Sequence, residues 1–465
     1  MKKIVTLSIF IFSVLTSFAQ DITGDWYGLL KVQGMPLRLV FHVTKAADGY
    51  SATMDSPDQG AKDIPVSRTS FINNTVIFEI SSAGVVYEGI MKDKIVVGTF
   101  KQRGMELALS LSREPIEKQV LKRPQEPVPP FPYHSEDVEF KNPGANVSLA
   151  GTLTLPDSKG IFPVVILVSG SGPQDRNEEV YGHKPFLVLA DHLTRKGIAV
   201  LRYDDRGTGK SKGDFKAGTT ADFAADAASA IAYLKTRKEI NKKEIGMIGH
   251  SEGGLIAPML AANSEDLNFI VLLAGPGLRG DKVLLQQQEY FAKASGVSET
   301  EIQRNRGINS VAFEIILNTK DNKKLEEDLT NYLKDVLQND KQVVLPKGMD
   351  LDAYIANQIN QIASPWMQYF LRYDPVPALE KVTCPVLALY GEKDLQVPPK
   401  DNVFAMENAF KTGGNKNATV KTLPNLNHLF QNCKTGLLRE YGEIEETFSP
   451  MALDEITNWI KIQTK

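Results

Sequence analysis

Cysteine is almost absent from this chain, which has only Cys384 and Cys433 in 465 residues. Exported domains built on disulfides carry many more, so the fold cannot depend on disulfides, and we expect two buried free thiols. Histidine is also scarce, and the six that are present show no spacing typical of metal ligands. We therefore expect neither a metal nor any other cofactor.

A strong charge of either sign is also lacking. The formal net charge is −3, and no lysine- or arginine-rich face stands out. Nucleic acid and anionic membrane surfaces attract basic patches, so we expect neither as a partner. The composition, 42% hydrophobic and 23% charged, is instead typical of a globular protein.

The first twenty residues have the layout of a secretory signal peptide. Lys2 and Lys3 precede an apolar stretch at residues 4–15, and Ser17-Phe18-Ala19 resembles a cleavage site. The stretch is short for a membrane span, although an uncleaved anchor helix is the alternative. We expect residues 1–19 to be removed, which leaves no membrane span. No cysteine is present there for a lipid anchor, so we expect a periplasmic or secreted protein.

The remaining chain is too long for one ordinary domain. Residues 20–113 contain short alternating apolar stretches separated by turn residues such as Asn73-Asn74. This pattern predicts a small all-β accessory domain, either a barrel or a sandwich. Residues 114–133 contain six prolines and predict a stiff, extended linker.

Residues 134–465 predict an α/β fold. Strand and helix patterns alternate, and residues 163–168 form a continuous apolar run, as in a strand covered on both faces. We expect a mostly parallel, doubly wound sheet with helices on both faces. Residues 279–375 have helical patterning only and lie between the predicted strands at 269–273 and 386–390. An insertion there would form a helical cap over the carboxyl edge of the sheet.

The run Gly249-His250-Ser251-Glu252-Gly253 reads G-x-S-x-G in the right context. An apolar strand pattern precedes it and a helix pattern follows it, which predicts the strand–turn–helix of a nucleophile elbow. The turn strains the serine backbone, and the flanking glycines relieve the crowding around it. Ser251 is therefore the candidate nucleophile.

A serine hydroxyl needs a base to take its proton and an acid to orient that base. After this motif the acid comes next in the chain and the histidine last. Asp394 follows the predicted strand at 386–390, and His428 follows the last predicted strand, so both fall at the carboxyl edge of the sheet. Glu392 and Asp374 are rival acids, but the first comes too soon after its strand and the second precedes it.

The tetrahedral intermediate of acyl transfer carries an oxyanion that needs two backbone N–H donors. Glu252, directly after the nucleophile, is the first candidate for the oxyanion hole. The loop after the strand at 163–168, Ser169-Gly170-Ser171-Gly172, should supply the second, and we assign it to Ser171. The glycines of this loop let the backbone approach the substrate closely.

The loop at residues 204–211 superficially resembles a phosphate-binding loop because it ends in Gly-Lys-Ser. The full G-x-x-x-x-G-K-S spacing fails, since Asp204 stands where the first glycine should be. We interpret it as a structural loop near the site, with Arg206 paired to an acid such as Asp175 or Asp204. We expect the side chain of His250 to pack beside the elbow.

These residues together resemble the α/β-hydrolase superfamily over 134–465. Within it, residues 169–177 and 249–254 are similar to a bacterial group of carboxylesterases and serine aminopeptidase-like hydrolases. The resemblance implies a serine hydrolase that forms an acyl-enzyme on Ser251. Ser169 stands where many members have histidine. The accessory domain opens on Gly24-Asp25-Trp26-Tyr27-Gly28, which resembles the start of lipocalin-like barrels and implies either a ligand site or a packed domain without one.

Three functions follow from these features. The first is a secreted carboxylesterase that cleaves small or medium acyl esters. The alternative is a serine aminopeptidase-like peptidase with the same triad, which would need an acid in the cap to hold the substrate's ammonium group. The cap offers four such acids, although acids on a helix usually form a solvated face: Glu314, Glu326, Glu327 and Asp328. A non-enzymatic binding protein is the third, and the intact candidate triad argues against it.

Overall fold

The computed structural model describes residues 21–32, 35–102, 105–118, 122–339 and 350–464. The predicted signal peptide lies outside these residues. The described chain forms two compact units that divide near residue 119 in sequence. None of the helices in the described ranges combines the length and apolarity needed to cross a membrane.

The first unit is an antiparallel β-barrel. Its nine strands are β1 Gly24–Val32, β2 Met35–Ala46, β3 Gly49–Ser56, β4 Ala61–Pro65, β5 Arg68–Ile72, β6 Thr75–Ile80, β7 Val85–Lys92, β8 Ile95–Gln102 and β9 Met105–Ser112. Eight of them pair in the order β2-β1-β9-β8-β7-β6-β5-β3, and β2 also pairs with β3, which closes the ring. β4 extends the sheet beyond β3. The sequence left barrel and sandwich open, and the structure is the barrel.

Turn residues set the register of the barrel hairpins. Ile72 pairs with Thr75, so a two-residue loop joins β5 to β6. Asn73 and Asn74 in that loop have φ values of 51° and 63°. Asparagine tolerates this left-handed conformation, which suits the twist of a tight hairpin. The turn that the sequence indicated therefore has a conformational reason.

Large aromatic side chains fill the barrel interior. The rings of Phe41 and Phe78 stack with centroids 4.4 Å apart, and Tyr87 packs 6.0 Å from Phe78. The Tyr87 hydroxyl donates to the carbonyl of Val96 at 3.1 Å. Trp26 is also fully buried and donates from its indole N–H to a backbone carbonyl at 2.8 Å. These contacts give the first unit a closely packed interior of its own.

The second unit contains an eight-stranded sheet. Its strands are β10 His134–Asn142, β11 Val147–Leu155, β12 Phe162–Val168, β13 Ala199–Tyr203, β14 Ile240–His250, β15 Phe269–Leu273, β16 Val386–Gly391 and β17 Ala418–Leu423. They lie in the order β10-β11-β13-β12-β14-β15-β16-β17. β10 and β11 are antiparallel, and the pairs from β13 to β17 are parallel. The elbow strand β14 is thus central.

Helices cover both faces of this sheet. They are α1 Pro185–Arg195, α2 Thr220–Thr236, α3 Gly253–Ala261, α4 Gly280–Ala294, α5 Glu299–Asn318, α6 Asn322–Asn339, α7 Leu351–Ile362, α8 Pro365–Arg372, α9 Val376–Leu379, α10 Pro399–Thr412, α11 Leu438–Tyr441 and α12 Pro450–Gln463. On β12, Ile166 packs in the core shared with α2, α3 and α10, whereas Leu167 packs in the core shared with α1 and α12. Burial on both faces explains the continuous apolar run. The predicted doubly wound α/β-hydrolase fold is confirmed.

Helices α4 to α8 form the predicted cap between β15 and β16. They enclose a separate apolar cluster that includes Leu285, Phe313, Ile316, Leu329 and Ile359. Because this cluster is distinct from the two cores on the sheet, the cap has a hydrophobic interior of its own. Such a body can shape a substrate pocket without disturbing the sheet beneath it.

The proline-rich segment carries a firm anchor on the second unit. The guanidinium of Arg123 donates to the carbonyls of Tyr181, Gly182, Gly442 and Ile444 at 2.9 to 3.3 Å. The side chain of Gln125 bonds the backbone around Phe448. The segment at 122–133 is therefore held to the second unit by specific contacts as well as stiffened by proline.

Both cysteines are free, as expected, but they are half-buried where we expected full burial. Cys384 precedes β16, and Cys433 follows β17 and its loop. These strands are neighbours in the sheet. The two thiols therefore lie at opposite ends of neighbouring strands.

Candidate active site

The backbone at Ser251 has the strained conformation of a nucleophile elbow. Its φ of 52° is in the left-handed region, which non-glycine residues rarely adopt. A Cβ at Gly249 would lie 2.0 Å from the carbonyl oxygen of Gly253, and one at Gly253 would lie 2.2 Å from that of Val168. The two flanking glycines are therefore sterically required. The Ser251 N–H donates to Leu273 at 2.8 Å, which ties the turn to β15.

Asp394 and His428 meet at the same edge of the sheet. They follow β16 and β17, which are parallel neighbours, so both loops leave at the carboxyl edge. His428 Nδ1 lies 2.7 Å from Asp394 Oδ2, and both side chains are buried. The other carboxylate oxygen accepts the N–H groups of Gln396 and Val397 at 2.7 and 2.9 Å. These bonds fix the carboxylate and leave Nε2 of His428 as the free nitrogen.

The link from His428 to the serine is looser. Among the hydrogen bonds of the described residues, none joins Ser251 Oγ to His428. The imidazole is nevertheless close to the elbow, because its ring centroid lies 4.8 Å from that of His250. In ligand-free enzymes, catalytic hydrogen bonds are often long and tighten only with substrate. The structure thus pairs the acid with the base beside the elbow, and the catalytic roles of the three residues stay a prediction.

The two predicted oxyanion donors have uncommitted backbone groups. A Cβ at Gly170 would lie 3.1 Å from Cβ of Ser251, so this loop passes directly beside the serine. The Gly170 N–H is occupied, since it donates to Glu178 at 2.7 Å. No hydrogen bond among the described residues uses the N–H of Ser171 or of Glu252. Both are therefore available to an oxyanion, and their role in the oxyanion hole stays a prediction.

The side chain of Glu252 connects the elbow to the cap. Its Oε1 accepts the Thr220 hydroxyl at 2.6 Å and the Trp366 indole N–H, from α8, at 2.8 Å. Burial raises the pKa of this carboxyl, and the two donated hydrogen bonds offset only part of that effect. The side chain of Glu252 thus links the elbow to α2 and to helix α8 of the cap.

Sequence reasoning missed Glu178, which pairs with His250 beside the elbow. The Glu178 carboxylate lies 2.8 Å from His250 Nδ1, and the other ring nitrogen lies 3.0 Å from the carbonyl of His428. Glu178 is 3% exposed and has a φ of 53°. No local pattern marks such a residue, because the contact spans 72 positions. Our prediction that His250 merely packs beside the turn was incomplete.

A second missed acid, Asp205, organises the loop that holds Ser171. It accepts the hydroxyl of Ser169 at 3.0 Å and the N–H of Gln174 at 2.9 Å. Burial raises its pKa well above the ordinary range, the two hydrogen bonds oppose this, and the nearby charges of Glu252 and Glu178 raise it further. Asp205, which follows β13, therefore holds the loop at residues 169–174 through both ends of that segment.

The expected partner of Arg206 was wrong. Arg206 pairs with Asp226 on α2 at 2.7 Å, whereas Asp204 pairs with Arg176 at 2.8 Å. The error arose because the loop folds back towards α2, which brings Asp226 to Arg206 in place of Asp175 or Asp204. The loop is nevertheless structural, as expected, since its Arg206 and its Asp204 are both engaged in ion pairs.

The rival acids lie elsewhere. Glu392 accepts the N–H of Asn425, and Asp374 accepts that of Val376. In the cap, Glu314, Glu326 and Glu327 are exposed. These three acids form the solvated face that their helical setting indicated. Asp328 is half-buried and lies 3.5 Å from Lys324.

A cavity of about 490 Å³ lies between the cap and the start of α2. Its walls come mainly from α8, which contributes Pro365, Gln368, Tyr369 and Arg372, with Thr219 opposite. Ser251 does not line this cavity. It is adjacent to the site through Thr220, which follows Thr219 and binds Glu252. We therefore interpret this cavity as a space beside the Trp366–Glu252 contact and not as the place where the reaction occurs.

Comparison with known proteins identifies the family. A family model described as serine aminopeptidase, S33, matches residues 184–432, just over half of the chain. The chain belongs to this S33 family. The matched region includes Ser251, Asp394 and His428, whereas Ser171 precedes it. The protein is thus a hydrolase of the α/β-hydrolase superfamily. Its β-barrel precedes the matched region in the sequence.

The relatives of this S33 family member include esterases. Esterase EstD of Thermotoga maritima is 27% identical over 296 residues, which cover 63% of this chain. The chain spans 60% of the length of that curated relative. Among solved structures, the Pyrococcus furiosus esterase Pf2001 is 17% identical, with 72% of this chain and 94% of that chain covered and a TM-score of 0.44. Est1E of Butyrivibrio proteoclasticus, solved with ferulic acid, is 18% identical, with 70% and 98% covered and a TM-score of 0.40.

Proposed function

We propose that this S33 family hydrolase is a carboxylesterase that cleaves small or medium acyl esters through an acyl-enzyme on Ser251. The observation that carries the proposal is the buried Asp394–His428 pair beside the strained elbow. The esterase name of the Thermotoga maritima relative supports the choice of an ester bond.

The pair supplies the base that the serine needs. With Asp394 accepting from Nδ1–H, the neutral imidazole carries its lone pair on Nε2. Nε2 takes the proton of Ser251 Oγ as the oxygen attacks the ester carbonyl, and the resulting oxyanion accepts the N–H groups of Glu252 and Ser171. Nε2 then gives the proton to the leaving alcohol. In the second half of the reaction, Nε2 takes a proton from water as the water attacks the acyl-serine. It then returns that proton to Ser251 Oγ, which leaves as the free hydroxyl.

The test compares wild type, Ser251→Ala and Ser158→Ala on p-nitrophenyl acetate. Ser158 is exposed and far from the elbow in sequence, so it controls for loss of a hydroxyl. We expect Ser251→Ala alone to abolish hydrolysis and labelling by a fluorophosphonate probe. Equal rates for Ser251→Ala and wild type would refute the mechanism, and so would labelling at another residue.

The second candidate is an aminopeptidase, which the family description favours. An aminopeptidase must hold the substrate's ammonium group. Of the four cap acids considered, Glu314, Glu326 and Glu327 are exposed, and Asp328 lies beside Lys324, so we favour the ester. Aminoacyl-nitroanilides with free and acyl-blocked amines discriminate the two. Turnover of the free-amine substrate only, faster than that of matched esters, would replace the esterase with the peptidase.

We also propose export of the mature enzyme, on the layout of residues 1–19 alone. The support is the lysine pair, the apolar stretch and the small residues before Gln20. Cell fractionation and the N-terminal sequence of the recovered protein test it. We expect a new terminus at Gln20 outside the cytoplasm, and an intact Met1 in the cytoplasm would contradict the proposal.

A further inference from the structure

Both ring nitrogens of His250 face hydrogen-bond acceptors. Nδ1 lies 2.8 Å from Glu178 Oε1, and Nε2 lies 3.0 Å from the carbonyl oxygen of His428. A carbonyl oxygen accepts only, so Nε2 must carry a proton. A neutral imidazole has one N–H, and a second proton must then occupy the short contact between Nδ1 and Glu178.

The surroundings place that second proton on the ring. Glu178 Oε1 also accepts the N–H of Gly170 at 2.7 Å, and a hydrogen bond donated to a carboxylate favours its charged form. Burial opposes a charge on His250, but the charge of Glu178, its hydrogen bond and the more distant charge of Asp394 outweigh burial and raise the pKa of the ring. The group facing His250 on its other side is the imidazole of His428.

Two other acids near the elbow, Asp205 and Glu252, are poorer counter-ions for the His250 ring than Glu178. The pKa of Asp205 lies well above its ordinary value and that of Glu252 is raised, in both cases chiefly because of burial. Glu178 is also the acid in direct contact with the ring. The imidazolium of His250 and the carboxylate of Glu178 thus form a buried, matched pair.

We propose that His250 is a positioning residue that carries a proton on both ring nitrogens and, with Glu178, holds three active-site loops in register. Through Glu178 it reaches Gly170, next to the oxyanion donor Ser171. Through its own backbone it is attached to Ser251, and through Nε2–H it holds the loop of His428. The proposal rests on the proposed function, because register matters only if these loops share a reaction.

The direct test is the protonation state of His250 in the wild-type protein. Imidazole ¹⁵N NMR of histidine-labelled protein resolves six histidines, and His250→Gln assigns the signal by its disappearance. We expect both nitrogens of His250 to carry protons throughout the range in which a free imidazole titrates. A ring that titrates as in solution, or that keeps one bare nitrogen, would overturn the proposal. This readout needs no activity, so it stands apart from the success of the esterase assignment.

The second test removes the counter-charge with its shape retained. Glu178→Gln should lower the pKa of His250, so the ring stays charged at low pH and loses its second proton as pH rises. We expect kcat on p-nitrophenyl acetate to fall about 10- to 100-fold at alkaline pH, with a smaller loss at acidic pH and little change in KM. Glu179→Gln, an exposed neighbour, is the matched control and should keep the wild-type profile. Identical pH profiles for the two variants would refute the positioning role.

Discussion

The barrel and the carboxyl edge of the second sheet bury different kinds of side chain. Among the described barrel residues, Ser56 is the only fully buried member of the polar and charged classes. The edge of the second sheet, by contrast, buries five ionisable side chains at the elbow and on the loops beside it: Glu178, His250, Glu252, Asp394 and His428. Burial of charge costs free energy unless each group is paired, so such a concentration marks a functional site.

The comparison also separates two sources of order. The barrel interior is held by ring packing, which has no preferred protonation state and does not depend on pH. The edge is held by hydrogen bonds whose donors and acceptors must each be in the right form. Substitutions in the barrel should therefore change stability alone, whereas substitutions at the edge should change the rate of hydrolysis, with or without a change in stability.

The largest effect should come from Asp394→Asn. The amide oxygen would keep the N–H donors of Gln396 and Val397, so the amide NH2 would face Nδ1 and donate to it. His428 would then carry its proton on Nε2, the wrong tautomer for a base. We expect kcat to fall about 10⁴-fold with little loss of stability. Ester hydrolysis and thermal unfolding measure the two. Glu392→Gln, at the rival acid, is the control, and an equal loss there would reassign the acid of the triad.

Gly249→Ala should disrupt the fold of the elbow and not merely slow the reaction. The new methyl would meet the Gly253 carbonyl oxygen at 2.0 Å, and backbone cannot move aside cheaply. We expect a loss of about 1–3 kcal/mol in the free energy of unfolding, together with loss of activity. Gly307→Ala, in α5 with no heavy atom within 4 Å of its added Cβ, is the matched control. It should be neutral or stabilising by up to about 1 kcal/mol.

Trp366→Phe should weaken the contact between cap and elbow. The ring is retained, but Glu252 loses the indole donor and keeps only Thr220. We expect the free energy of substrate binding to weaken by about 1 kcal/mol, seen as a roughly fivefold rise in KM with kcat nearly unchanged. Steady-state kinetics check this. A fall in kcat at constant KM would place Trp366 in the chemistry and not in the cap contact.

The smallest effect on hydrolysis should come from Tyr87→Phe in the barrel. It removes a buried hydroxyl that donates to Val96 and lies 3.2 Å from the carbonyl of Leu109. We expect the barrel to lose about 1 kcal/mol of stability, with hydrolysis unchanged. Calorimetry and the ester assay, run on one preparation, give both values. A loss of hydrolysis would break the division between the two regions.

Short sequence patterns predicted the strands, turns and helices, but they did not predict contacts between residues far apart in the chain. The elbow glycines, the Asn73-Asn74 turn and the position of Asp394 after its strand each follow from a rule about a few adjacent residues. Glu178 has no such rule, because its place depends on a left-handed turn and on a histidine 72 positions away. Arg206 shows the same limit, since the choice of Asp226 is made by the packing of α2 against the loop.

The anchor at Arg123 has a consequence for dividing this protein into pieces. One guanidinium bridges two stretches of backbone more than 250 positions apart in sequence, at Gly182 and Gly442. A fragment starting at residue 134, where the β10 strand begins, would lack Arg123 and leave the carbonyls of Gly182 and Gly442 without their donor. A fragment starting a dozen residues earlier would keep these hydrogen bonds, and we expect it to be the more stable of the two.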